Sequence, residues 1–304
     1  MPDMIPPSPV GLIGVGLMGT AITRRLRGAG FDVLGFDVDP RAGERLAALG
    51  ARQAQSIAQI AATCRHVVIA VFDTSQVEDV VEGPHGLAAV AADKRKTHVV
   101  LNTSTCEPDR IASLAGRTAK AGLALVELPV SGTSEQVARG DGVGLVAGDT
   151  TAAEDAAAVI AAICPRTFHM GAAGNGARTK LAINHILGIN RAALAEGLVF
   201  AQRLGLPLDA FLEAAKGSAA CSQVMDIKGA KMIARDFTTQ GKVTQSLKDF
   251  TMILRNAARL GQELPLATVY AALMQGCVAA GEGEADNSAI IAEIARRTGP
   301  ERQA

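Results

Sequence analysis

Three glycines and one lysine define the chemistry this chain can attempt. Residues 10–19 read V-G-L-I-G-V-G-L-M-G, so Gly14, Gly16 and Gly19 stand in the spacing G-x-G-x-x-G, with Leu17 and Met18 between the last two. The short apolar run Val10, Leu12, Ile13 precedes them, and residues 20–26 continue in helical rhythm. Strand, glycine turn, helix is the context in which this spacing binds a dinucleotide. Gly14 permits the tight turn, Gly16 lets a pyrophosphate reach the backbone, and Gly19 lets the helix lie close to the strand. The helix start offers free N–H groups and a partial positive charge to the phosphates. The alternative is a tight strand–helix turn that binds nothing.

Asp37 closes a second apolar run, D-V-L-G-F, and follows Gly19 by 18 residues. An acidic residue at about that distance can bond the ribose 2′-OH, which favours NAD over NADP. Arg41 lies nearby and can accommodate a 2′-phosphate. The plain reading of Asp37 is a turn residue in D-V-D-P.

Lys180 is a cation in an alanine- and leucine-rich helical stretch. Hydride transfer to a carbonyl leaves an alkoxide that needs a proton. A lysine ammonium can give it, and a neutral lysine can take the hydroxyl proton in the oxidative direction. Asn184 stands at i+4, one turn further on the same face, and Gly188 four beyond that leaves room there. A solvated surface lysine is the competing reading.

The elements that must position these groups fall into two sets. From 10 to about 165, short apolar runs alternate with helical stretches, the signature of a mostly parallel sheet covered by helices. Strands are expected at 10–13, 33–36, 66–72, 99–101, 123–127 and 144–147. Helices are expected at 41–49, 56–62, 75–81, 108–121 and 152–163, with a short helical piece at 86–92. Beyond 174 the period is helical throughout: 177–204, 208–216, 225–234, 242–260, 266–280 and 286–297, with Asp286 or Asn287 as the last N-cap. The expected division is a dinucleotide-binding domain over 8–170 and an all-α substrate and oligomerisation domain over 171–300, joined by a long helix.

Composition excludes several classes. The 30 basic and 30 acidic residues cancel, and one Tyr with no Trp offers no base-stacking surface, so nucleic acid is not an expected partner. No uncharged apolar run reaches the roughly 18 residues of a membrane span. Residues 1–9 are proline-rich and lack the pattern of a secretory signal, so a frayed leader is expected. The five cysteines form no C-x-x-C and are odd in number, so neither a metal site nor a disulfide framework is expected, and a reducing cytoplasm is.

Four stretches carry a resemblance: G-L-I-G-V-G-L-M-G at 11–19, L-P-V-S-G at 128–132, G-N-G-A-R-T-K-L-A-I-N at 174–184 and L-K-D at 247–249. In this order and spacing the chain resembles the β-hydroxyacid dehydrogenase family, which includes 3-hydroxyisobutyrate dehydrogenase and tartronate semialdehyde reductase. The resemblance implies a Rossmann-like domain followed by an all-α domain, and an NAD(P)-dependent oxidoreductase of a small, carboxylate-bearing hydroxy acid. It implies that Lys180 is the general acid/base and that Asn184 holds lysine and substrate. Ser131 and Gly132 match the family's substrate-binding pair; a hydroxyl and the N–H groups of a glycine turn can hold a carboxylate. Lys248 matches a second lysine near nicotinamide and substrate, with Asp249 structural beside it. Thr105 matches a nicotinamide-side threonine.

The chain departs from the pattern in places. Thr133 replaces a second glycine at the substrate turn, and Glu135 follows it with a negative charge. Asn102 stands for the usual Asp, Val71-Phe72-Asp73 for the usual Leu-Pro, and His185 for a second asparagine. A homodimer or homotetramer is expected. The rival readings are an imine reductase-like enzyme, whose members generally lack this lysine, and a non-catalytic dinucleotide-binding scaffold.

Overall fold

The computed structural model describes residues 8–297. The start of the expected leader, residues 1–7, and residues 298–300 of the expected second domain lie outside them. The chain divides into two compact units that meet between Lys180 and Leu181.

The first unit carries nine strands: β1 (Val10–Ile13), β2 (Val33–Phe36), β3 (Arg52–Gln53), β4 (His66–Ile69), β5 (Val99–Asn102), β6 (Ala124–Glu127), β7 (Val130–Ser131), β8 (Val143–Gly148) and β9 (Arg166–His169). Their order is β3-β2-β1-β4-β5-β6-β8-β7, with β9 beside β8. The first six are parallel, Gly11 lying opposite Leu34 on one side and Val67 on the other. β8 turns antiparallel to β6, and β7 antiparallel to β8. The order reverses between β1 and β4, and ligands of such sheets bind outside the carboxyl ends of the strands at that switch point.

The helices of this unit are α1 (Leu17–Gly28), α2 (Ala42–Ala48), α3 (Ile57–Thr63), α4 (Thr74–Glu82), α5 (Pro108–Lys120), α6 (Ser134–Arg139), α7 (Thr150–Asp155) and α8 (Ala157–Ile163). Several boundaries follow from local chemistry. Ser56 caps α3, Asp73 caps α4 and Asp149 caps α7, each accepting a backbone N–H near the start of its helix. Pro108 opens α5 where its missing N–H costs nothing. Gly50 follows α2 at φ 68, a backbone that favours glycine.

Apolar residues cover both sheet faces. Leu12, Val68 and Leu101 belong to one core cluster, and Ile13, Val67 and Ile69 to another. Burying each such side chain stabilises by about 1.5–3 kcal/mol.

Four expectations are corrected. The strand expected over 66–72 stops at Ile69, because the Ser104 hydroxyl donates to the Val71 carbonyl and accepts its N–H, turning the chain off the sheet. The helix expected over 152–163 is broken at Ala156 (φ −94, ψ 7), although no Gly or Pro marks the break; Ala156 is fully buried, and packing decides its backbone. The helical piece expected at 86–92 is a single 3₁₀ turn, Leu87–Ala89. The short strands β3, β7 and β9 and helix α6 have no counterpart in the expected elements; β3 and β7 are two residues each, too short to show a period.

Helix α9 (Asn175–Arg203) runs from the first unit into the second. The second unit continues with α10 (Leu208–Lys216), α11 (Gln223–Ala234), α12 (Val243–Arg259), α13 (Pro265–Ala279) and α14 (Ile290–Arg296). The helix expected from 286 begins as a 3₁₀ turn, Asn287–Ala289, with the Asp286 carboxylate accepting from Ser288 N–H. The core of this unit includes Leu194, Leu198, Met232, Phe250, Tyr270 and Met274. Gly188 lets two rings approach α9: a Cβ there would stand 2.4 Å from the Phe250 ring and 3.2 Å from Tyr270 Cζ.

Candidate active site

The glycine turn lies at the carboxyl end of β1. Gly14 adopts φ 94, and a Cβ there would meet the Ala70 carbonyl oxygen at 2.4 Å. A Cβ on Gly19 would stand 1.9 Å from the Gly14 carbonyl oxygen, so helix and strand can approach this closely only with glycine there. Gly16 differs: it is exposed, and a Cβ would meet nothing within 4 Å. Gly16 is also the N-cap of α1, with no side chain capping the helix and no acidic residue in its first turn. Open space above a bare glycine and uncapped N–H groups fit the pyrophosphate of a dinucleotide. Leu17 is 44% exposed and Met18 partly buried against the core.

Asp37 lies directly beyond β2. Its Oδ2 accepts from Val15 N–H at 2.5 Å and its Oδ1 from Asp39 N–H at 2.9 Å. The carboxylate therefore ties the glycine turn to the end of β2. Asp39 gathers the neighbouring cations: it accepts from Arg41 Nε at 3.2 Å and from Arg45 Nη1 at 2.9 Å. Donation from the Arg41 backbone and from both guanidinium groups holds the Asp39 carboxyl down at about 2. Arg45 also donates to the Val15 carbonyl at 2.9 Å.

Thr105 is buried in the loop after β5. Asn102, at the end of that strand, accepts from Ser104 N–H at 3.1 Å, so an amide does locally what a carboxylate could. Ser131 ends β7 opposite Val143, and Gly132 follows at φ 144. Thr133, which replaces the second glycine, caps α6 with its side chain: Thr133 Oγ1 accepts from Gln136 N–H at 3.2 Å, while Gln136 Oε1 accepts from Thr133 N–H at 2.9 Å. Glu135 is exposed on the first turn of α6.

Lys180 is 6% exposed, on the second turn of α9. Asn184 lies one helical turn beyond it. In the second unit Asn184 Nδ2 donates to Asp249 Oδ2 at 2.9 Å. Lys248 Nζ lies 3.2 Å from Asp249 Oδ1. Asp249 is 7% exposed and also accepts from Gln245 at 3.4 Å. His185 packs its ring 6.0 Å from that of Phe250, and its Nδ1 is buried without a hydrogen-bond partner.

One buried group escaped sequence reasoning. Glu127, at the end of β6, is 2% exposed, and its carboxyl accepts from Gly174 N–H at 2.5 Å and Ala177 N–H at 2.8 Å. Burial raises its pKa, and the N–H groups of Gly174, Ala177 and Gly176 oppose that rise. A charged residue closing the apolar run L-A-L-V was the available signal. Among the described residues no cluster of His, Cys, Asp and Glu could hold a metal ion, and no helix is long and apolar enough to cross a membrane.

Residues 9–171 match the family model for the NAD binding domain of 6-phosphogluconate dehydrogenase. Residues 174–294 match the model for the NAD-binding region of NADP-dependent 3-hydroxyisobutyrate dehydrogenase. L-threonate dehydrogenase of Cupriavidus necator is 30% identical over 283 residues, covering 93% of this chain and 94% of that protein. The 2-hydroxy-3-oxopropionate reductase of Escherichia coli is 29% identical over 282 residues, covering 93% and 95%. The crystal structure of 3-hydroxyisobutyrate dehydrogenase from Salmonella typhimurium superposes with a TM-score of 0.83 at 27% identity, covering 93% of this chain and 98% of that one. With two matched family models spanning both units, and hydroxyacid dehydrogenases and reductases as relatives over most of its length, this chain belongs to the β-hydroxyacid dehydrogenase family and is an NAD(P)-dependent oxidoreductase of small hydroxy acids.

Proposed function

We propose that Lys180 is the general acid/base of this enzyme, and that the burial of its side chain carries the reading. A lysine needed only for solubility has no reason to be 6% exposed in an alanine-rich helix. In the reductive direction its ammonium protonates the alkoxide; in the oxidative direction the neutral amine takes the hydroxyl proton. The nicotinamide, when bound, supplies or accepts the hydride. Gly14, Gly16, Leu17, Met18 and Gly19 hold the dinucleotide, with Thr105 on the nicotinamide side. Ser131 and Gly132 hold the substrate carboxylate, with Thr133 fixing their turn through its cap on α6. Asn184 and Lys248 are the positioning residues of the second unit.

NAD is the preferred cofactor in this reading. Asp37 presents a carboxylate where a 2′-phosphate would come, and Arg41 and Arg45 are engaged by Asp39. The enzyme works as a homodimer or homotetramer in the cytoplasm. Exposed Phe200, Leu204, Leu260, Leu266 and Val269 in the helical unit offer apolar surface for self-association. Sedimentation at working concentration checks the assembly, and a single monomeric species would remove it.

The substrate is a short hydroxy acid of the kind its relatives' names describe. The test is a turnover panel of L-threonate and 3-hydroxyisobutyrate with NAD⁺ and NADP⁺, and of 2-hydroxy-3-oxopropionate with NADH and NADPH. Turnover of at least one acid, faster with the NAD form, is expected. Binding of the dinucleotide with no turnover of any would favour the scaffold reading.

A further inference from the structure

Glu127 ends β6 and holds the start of the helix that bears Lys180. The end of β6 is fixed on both sides, with Glu127 opposite Asn102 of β5 and Ala147 of β8. From this anchored position its carboxyl reaches the first turn of α9. Oε1 accepts from Gly174 N–H and Oε2 from Ala177 N–H, and Gly176 N–H adds a third donor. The first N–H groups of a helix have no partner within it, so an acceptor here satisfies donors that burial would otherwise leave bare. The 2.8 Å bond from Ala177 N–H is in the range of charge-assisted contacts.

The glycines of G-N-G fit this clamp. Gly174 adopts φ 92, a left-handed backbone. A Cβ on Gly176 would press to 3.0 Å from Glu127 Cβ and 3.2 Å from its carboxyl carbon. Lys180 follows Gly176 by four residues, one turn along the same helix. A shift of the first turn therefore carries the amine with it.

We propose that Glu127 is a positioning residue that locks the first turn of α9 from the end of β6 and thereby sets the placement of the Lys180 amine; this rests on Lys180 being the acid/base. Proton transfer is steep in geometry: a misplacement of about 1 Å can cost on the order of 10²-fold in rate.

The test uses the full-length enzyme carrying Glu127→Gln, Glu127→Asp, Gly176→Ala or Lys180→Ala. Each is assayed for kcat and KM on the acid turned over in the panel above, and for NADH affinity by fluorescence titration. Glutamine keeps the shape but has one accepting oxygen where three N–H groups converge. It should lower kcat about tenfold or more, with NADH affinity within twofold of the parent, because the glycine turn of β1 is untouched. Aspartate should restore part of the loss. Gly176→Ala displaces the carboxyl without removing it and should reproduce the kcat loss; it carries the test if Glu127→Gln does not fold. Parent-like kcat in Glu127→Gln, with Lys180→Ala inactive, would overturn this inference alone. Parent-like kcat in Lys180→Ala would instead overturn the acid/base reading on which it rests.

Discussion

Asn184 of α9 and Lys248 of α12 converge on one carboxylate, that of Asp249, which accepts from Asn184 Nδ2 at 2.9 Å and pairs with Lys248 Nζ at 3.2 Å. Two residues singled out separately by the family resemblance are thus held by a third. Asp249 is nearly buried, so its loss takes the acceptor from the Asn184 amide, at a cost of about 1–3 kcal/mol, and removes the carboxylate beside Lys248. Asp249→Ala should lower kcat/KM by about tenfold or more and raise KM, with NADH affinity little changed. Kinetics within twofold of the parent would show that the shared carboxylate is not needed to place either group.

Asp37 has both a structural and a selective role in this account. Its two oxygens tie Val15 and Asp39 together, so Asp37→Ala should weaken binding of both dinucleotides by loosening the glycine turn. It should weaken NAD more than NADP, because the lost carboxylate opposes only the 2′-phosphate. Parallel titrations with NADH and NADPH check this. An unchanged ratio of the two affinities would reduce Asp37 to a tether of the turn.

A buried ion pair anchors the helical unit. Lys228 Nζ lies 2.8 and 2.9 Å from the two oxygens of Asp286, which is fully buried and also accepts from the N–H groups of Gln240, Gly241 and Ser288. Burial pushes the Asp286 pKa up, but Lys228 and the backbone donors outweigh it and hold the group below its ordinary 3.8. A carboxylate depressed on folding adds stability above its unfolded pKa and loses it as pH falls through the folded value. Asp286→Asn leaves Lys228 without its counter-charge and should cost about 3–5 kcal/mol at neutral pH. The gap in Tm between parent and variant should narrow below about pH 4. A gap that stays constant down to pH 2 would contradict the pairing.

The sheet was legible because its chemistry is local. Val10, Leu12 and Ile13 announce a buried strand, and Gly14, Gly16 and Gly19 announce the turn that follows. The long helix around Lys180 showed in its alanine and leucine rhythm. What stayed hidden depends on contacts between distant segments. Glu127 lies 47 residues from Gly174, and nothing near it in the chain signals that its carboxyl caps a helix. Thr133 and Gln136, three residues apart, carry the spacing of a capping box, a local signal for α6 beside the departure from the family's second glycine. The break at Ala156 carries no Gly or Pro, so only packing could reveal it.

Lys180→Ala tests the central claim most directly, with turnover and NADH affinity measured on the same preparation. The account predicts a loss of about 10²–10⁴-fold in kcat, the range of general acid–base catalysis, with NADH affinity within twofold of the parent. Turnover within threefold of the parent at unchanged cofactor affinity would contradict it.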